Sequence, residues 1–213
     1  MPTGSLIYWW DSWGSMNNKT FDKLVKKYVG TTLKPYGFTY EKSRHSTFYR
    51  QVSEDIYHII FAELGGGGSW FHFEIVPTSP LIVPDFESVF PDDIGFPNGG
   101  YSRLDTSRGV GMERTTFRCS KEEGFVRNYK REGEPALLNL ALPYLEKIRN
   151  LNDLLPFVTS DVSEFHLGAT LWHVGKRAKA QKILNRERER LRGLPQTDSK
   201  KVSKAISYID ALI

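Results

Sequence analysis

The sequence predicts an α+β fold, an antiparallel β-meander sheet packed by an N-terminal helix and followed by a helical C-terminal region. Three observations predict it. Ile56 to Val76, IYHIIFAELGGGGSWFHFEIV, joins two runs rich in Ile, Phe, Tyr and Trp through four glycines, the composition of two half-buried strands around a reversal. Phe21, Leu24, Val25, Tyr28, Val29 and Leu33 recur at helical spacing ahead of Pro35, as an amphipathic helix requires. From Ser163 onward the apolar spacing is helical throughout.

Residues 1–15, MPTGSLIYWWDSWGS, read as an appended peptide, with Gly14-Ser15 as a junction before Met16. The alternative is a native strand, Leu6 to Trp10, pairing with a sheet edge. The α+β core is then expected over 16–150 and the helical region over 151–213. Thr20 is the expected N-cap of the first helix, which should stop before Pro35 with Gly37 turning the chain. Phe38 to Lys42 and Thr47 to Val52 follow as strands, with short turns at Arg44-His45 and Glu54-Asp55.

In the central hairpin a turn at Gly66-Gly67 places Tyr57, Ile59, Phe61 and Glu63 on one face with Trp70, His72, Glu74 and Val76. The opposite face carries Ile56, His58, Ile60, Ala62, Leu64, Phe71, Phe73 and Ile75. The second is the expected core face. The first mixes aromatics with Glu63, His72 and Glu74, so it is read as a wetter face or a groove wall.

Phe21 to Ile148 resembles the bacterial domain of unknown function number 4304, through FDKLVKKYVGTTLKPYGF, the FYRQV strand and the IYHIIFAE and WFHFEIV strands. LKPYGF followed by FYR is the most specific part. The resemblance implies an α+β fold and carries no established activity, so no site residue follows from it.

Thr78 to Gly100 holds Pro80, Pro84, Pro91 and Pro97 among apolar residues and is expected as an ordered loop over the sheet rim. Tyr101 to Leu104 and Thr115 to Cys119 are expected as two short strands. A helix is expected from Glu134, with Pro135 in its first turn and a kink at Pro143. Leu151 to Val158 leads to the tail, where Leu167, Gly168, Leu171, Gly175, Ala180 and Leu184 fall as in one tetratricopeptide-like helical hairpin. Lys200 to Ile213 forms the last helix.

The formal charge of +4 is unevenly spread. Trp172 to Lys204 holds eleven Lys and Arg against three Asp and Glu, a local +8, whereas Glu74 to Glu113 holds two against seven, a local −5. Lys179, Lys182, Arg186 and Arg190 line one face of a tail helix and form the candidate anion or nucleic-acid face. No apolar run reaches the roughly 18 to 20 residues that span a bilayer. The single cysteine, Cys119, and the lack of a signal-like N-terminus point to a cytoplasmic protein.

The five histidines show no metal-ligand spacing. Glu63, His72 and Glu74 share a strand face and have the chemistry to bind a cation or do acid–base work, but an ordinary half-exposed face explains them equally. The acidic residues Asp85, Glu87, Asp92 and Asp93 are read as solvated loop charge, Cys119 as a small buried hydrophobe, and GGGGSW as unlike a phosphate loop. The sequence therefore assigns no catalytic residue, cofactor or metal. Its expectation is a non-catalytic, immunity-type module that binds a protein partner through the acidic loop or through the aromatic sheet face of Glu63, Trp70, His72 and Glu74. Nucleic-acid binding through the basic tail is the first alternative, and an enzyme using Glu63, His72 and Glu74 the second.

Overall fold

A computed structural model describes residues 15–42, 46–82, 104–105, 116–158, 164–194 and 199–213. The fold is α+β, with a sheet in meander order. Strands β1 (Thr39–Lys42), β2 (Ser46–Ser53), β3 (Ile56–Gly65) and β4 (Trp70–Thr78) pair antiparallel in sequence. Strands β5 (Leu104–Asp105) and β6 (Thr116–Arg118) both pair with β4, at different points along it. β6 falls within the expected Thr115 to Cys119, whereas of the expected Tyr101 to Leu104 only Leu104, the first residue of β5, is among the described residues.

Helix α1 (Asn18–Leu33) is capped by Asn17, whose side-chain oxygen accepts the Thr20 N–H at 2.9 Å. The cap lies three residues before the expected Thr20, because Asn is at least as good an acceptor and frees Thr20 for the first turn. The helix stops where predicted. Pro35 enters a 3₁₀ turn and Gly37, at φ 81°, reverses the chain. Phe21, Leu24, Val25, Val29 and Leu33 are buried against the sheet.

The hairpin register differs from the expected one by two residues. Gly65 pairs with Trp70 and Glu63 with His72, so the reversal spans Gly66 to Ser69, not two glycines alone. Because the shift is even, every side chain keeps its predicted face. Ile56, His58, Ile60, Ala62, Phe71, Phe73 and Ile75 are buried in the main core.

The reason for the longer turn is packing. The Trp70 ring lies over the hairpin backbone, and a Cβ on Gly65 would come within 2.1 Å of it. Gly68 abuts the Met16 carbonyl just as closely, and the Met16 N–H donates to Gly68 O at 3.2 Å. The glycines thus admit an indole on one side and the incoming chain on the other.

The helix expected from Glu134 begins instead at Glu122. A continuous helical run, α2, covers 122–145 and includes π turns at Tyr129–Gly133 and Leu137–Ala141. Each π turn ends in an i→i−5 bond from the residue before a proline, Glu134 to Tyr129 O and Leu142 to Leu137 O. Pro135 and Pro143 lack the N–H that a regular turn needs, and the wider turns carry the helix past them where a kink at Pro143 was expected. Phe125 and Tyr129 stack at 5.9 Å with a 7° interplanar angle, and Phe125 lies 4.7 Å from Phe71. Tyr129 O–H donates to Thr32 at 2.8 Å, and Thr32 donates to Glu134, which ties α2 to α1.

A short helix α3 (Leu151–Leu154), held by an Asn150–Asp153 capping box, precedes the tail. There α4 (Glu164–His173), α5 (Arg177–Arg192) and α6 (Ser199–Leu212) pack together around Phe165, Leu184, Leu191 and Ile209. A Cβ on Gly168 would meet Leu184 at 2.6 Å, so the small residue is where two helices approach closely, as its spacing predicts. The Tyr208 hydroxyl donates to Leu81 O and lies 3.3 Å from His173 Nε2, joining the tail to the turn that follows β4. Among the described residues, no helix is long and apolar enough to cross a membrane.

Candidate functional site

The second face of the hairpin changes character along its length. Ile59, Phe61 and Val76 are buried as a small cluster with Tyr49 beside them. Toward the turn, polar groups replace them. Glu63 stands directly opposite His72, and Glu74 lies two residues farther along the same face of β4. His72 Nε2 approaches Glu63 Oε2 at 3.4 Å and Glu74 Oε1 at 3.5 Å. The three side chains are 21, 22 and 15% exposed respectively, so solvent reaches the group while most of it is covered. The Trp70 ring centre lies 5.4 Å from that of His72 and walls one side.

The candidate binding face Glu63, Trp70, His72 and Glu74 is thus brought together. On its outer edge, β6 sets Thr116 opposite His72 and Arg118 opposite Trp70. Thr116 and Arg118 also line a cleft of about 540 Å³, together with Asn128, Arg131 and Glu132 from α2. Asn128 Nδ2 donates to Arg118 O at 2.6 Å, which fixes this strand against the helix. An acidic group around an imidazole therefore adjoins a cleft bearing Arg118 and an Arg131–Glu132 ion pair.

No protein-family model, curated protein or solved structure matches this chain.

The second candidate surface is partly neutralised within the molecule. Lys179 and Lys182 are exposed on α5. Arg186, on the same helix, donates to Glu164 of α4 at 2.8 Å, and Arg190 donates to the buried Glu187 at 2.6 Å. Arg188 reaches Asp210 of α6 at 2.9 Å. The Arg186 and Arg188 pairs join α5 to α4 and α6, the Arg190 pair lies within α5, and the carboxylates offset much of the charge that a phosphate backbone would need.

Sequence reasoning missed a third polar group, on the core face. His58 is fully buried; its Nε2–H donates to Ile148 O at 2.7 Å, and its Nδ1 accepts from Arg50 Nε at 3.3 Å. Arg50 also donates to Tyr36 O at 2.9 Å and to Glu146, and its guanidinium lies 4.7 Å from the Phe38 ring centre. Burial lowers the His58 pKa to about 4 against the raising effect of its bond to Ile148, and Arg50 holds the Glu146 carboxyl below its usual range. Every polar atom of His58 has a partner, and the network staples β2 and β3 to the end of α2. A histidine alternating with Ile in a core strand was the available signal.

Cys119 is buried, and burial pushes its thiol up to about 12, which leaves it a hydrophobe and not a nucleophile. Residues 1–14, the loop acids Asp85, Glu87, Asp92 and Asp93, and His45 lie outside the described residues.

Proposed function

We propose that this chain is a non-catalytic recognition module that binds a protein partner through the turn end of its sheet. One observation carries the reading. Thr116 is at once the cross-strand partner of His72 and a wall of the cleft that holds Arg118 and the Arg131–Glu132 pair, so the acidic, aromatic-walled patch adjoins the Arg118 cation through one shared residue. Adjacent charges of opposite sign orient a partner and exclude wrong ones, and an indole at their border supplies contact area.

Less supports the alternatives. Nucleic-acid binding loses Arg186 and Arg190 to internal carboxylates. An enzyme built on Glu63, His72 and Glu74 would need a substrate cavity at those residues. The proposed setting is cytoplasmic, in keeping with a buried, unpaired Cys119. Family 4304 remains the proposed affiliation, on the LKPYGF turn and FYR strand, and it brings no residue role.

The test uses the proteins encoded beside this chain's gene, mixed with it in purified form and followed by size-exclusion chromatography with light scattering. A stoichiometric complex is expected that Trp70→Ala weakens by about 10-fold or more, while Lys179→Ala with Lys182→Ala leaves it within about twofold. If no complex forms, or only the lysine variant loses it, the reading is wrong. Turnover of a nucleotide, ester or nucleic acid that His72→Ala abolishes would also overturn it.

A further inference from the structure

We propose that Glu63, His72 and Glu74 form a binding site for a divalent transition-metal cation of the zinc class. The proposal rests on the turn end of the sheet being the working surface, and it names the ligand that surface holds.

Geometry is the first support. Each residue offers one donor atom, and the three atoms lie within 4.8 Å of one another. Zinc takes imidazole nitrogen and carboxylate oxygen at about 2.0 to 2.2 Å in tetrahedral array, so neighbouring donors stand about 3.4 Å apart. The two nitrogen-to-oxygen separations here are 3.4 and 3.5 Å. The group is therefore already spaced as two edges of such a tetrahedron.

The donor set is the second support. One imidazole with two carboxylates suits a borderline cation, whereas magnesium and calcium prefer six or more oxygens. Two carboxylates also offset the charge of a dication. His72 presents Nε2 to both carboxylates, while Nδ1, which would carry the proton on binding, is buried without a hydrogen-bond partner in the structure.

Rigidity is the third. All three donors come from paired strand positions, and the Trp70 ring, itself seated on the glycine backbone, limits how His72 turns. Little reorganisation would be needed on binding. Three protein ligands leave a tetrahedral cation one position, open to water or to a donor atom of the partner.

The test is calorimetric titration of zinc chloride into the full chain in a non-chelating buffer, with magnesium chloride in parallel. One zinc per chain is expected, with magnesium at least about 10-fold weaker. Glu63→Gln and Glu74→Gln, which keep shape, should each weaken zinc by about 10-fold or more, as should His72→Ala, while Glu54→Gln on the exposed β2–β3 turn changes nothing. If His72→Ala does not fold, the two Gln variants decide. Absence of one-to-one binding, or binding unchanged in both Gln variants, overturns the site. Repeating the partner assay with zinc and with a chelator separates the two readings. A complex that needs Trp70 in a chain that binds no zinc overturns only the metal site. Zinc binding at these residues with a complex indifferent to them overturns only the recognition surface.

Discussion

His58 and His72 lie on the same hairpin, one strand apart, on opposite faces of the sheet. His58 is sealed in the core with both ring nitrogens bonded, one to a backbone carbonyl and one to Arg50. His72 is partly exposed, lies between two carboxylates, and has one nitrogen without a partner. The same side chain is thus a bonded structural joint on one face and, through Nε2, a candidate ligand on the other. A buried polar network contributes to stability when every member is satisfied, whereas a ligand site keeps its donor atoms grouped where a ligand can reach them.

The largest expected effect separates them directly. His58→Ala empties a core position and leaves Arg50 and the Ile148 carbonyl without their partner, which should cost about 3 to 5 kcal/mol. His72→Ala removes a partly exposed ring from a pair of weak ion contacts and should cost within about 1 kcal/mol. Urea unfolding of the two variants measures the contrast. Equal losses would mean that His72 is a structural residue too, and would remove the distinction.

Acid should act through the same joint. The folded His58 titrates near 4 against an ordinary 6.5, so between those values the unfolded chain binds a proton that the folded chain does not. Its contribution is therefore fully present above about pH 6.5 and is lost as pH falls toward 4, a change on the order of 3 kcal/mol. His166, buried and lowered to about 3, and His173, also lowered by burial, act in the same direction, so the loss in the whole protein has more than one source. Unfolding free energies at pH 7 and 4.5 should show a smaller drop for His58→Gln than for the parent chain. Parallel drops would assign the acid sensitivity elsewhere.

The two histidines were also unequally legible. Their opposite faces follow from strand alternation, and the prediction survived a register error because a shift of two residues preserves alternation. The register itself was not legible. Four consecutive glycines offer no side chain to set a turn, and what sets it is Trp70 on one side and Met16 from a distant segment on the other. The grouping of Glu63, His72 and Glu74 needed only parity and was readable. The adjoining cleft needed the packing of β6 on α2, and α2 was hidden because Gly124, Gly133, Pro135 and Pro143 punctuate it where π turns carry the helix through. The Arg186–Glu164 pair was likewise invisible, since it joins two helices through the tail's packing and not through sequence spacing.

The smallest effects test whether the indole seat sets the geometry of the His72 face. A Cβ on Gly65 would stand 2.1 Å from the Trp70 ring, so Gly65→Ala must displace the indole, at about 1 to 3 kcal/mol. Gly67 has nothing within 4 Å of an added Cβ but holds φ at 62°, so Gly67→Ala costs about 1 kcal/mol of backbone strain without touching Trp70. The stability losses are similar, yet their consequences for His72 differ. Gly65→Ala should shift the His72 ring resonances in NMR spectra and weaken zinc binding, because the wall beside the imidazole has moved. Gly67→Ala should leave both unchanged. If the two variants perturb His72 alike, the turn as a whole sets the face, and the contact between Trp70 and Gly65 has no special part in it.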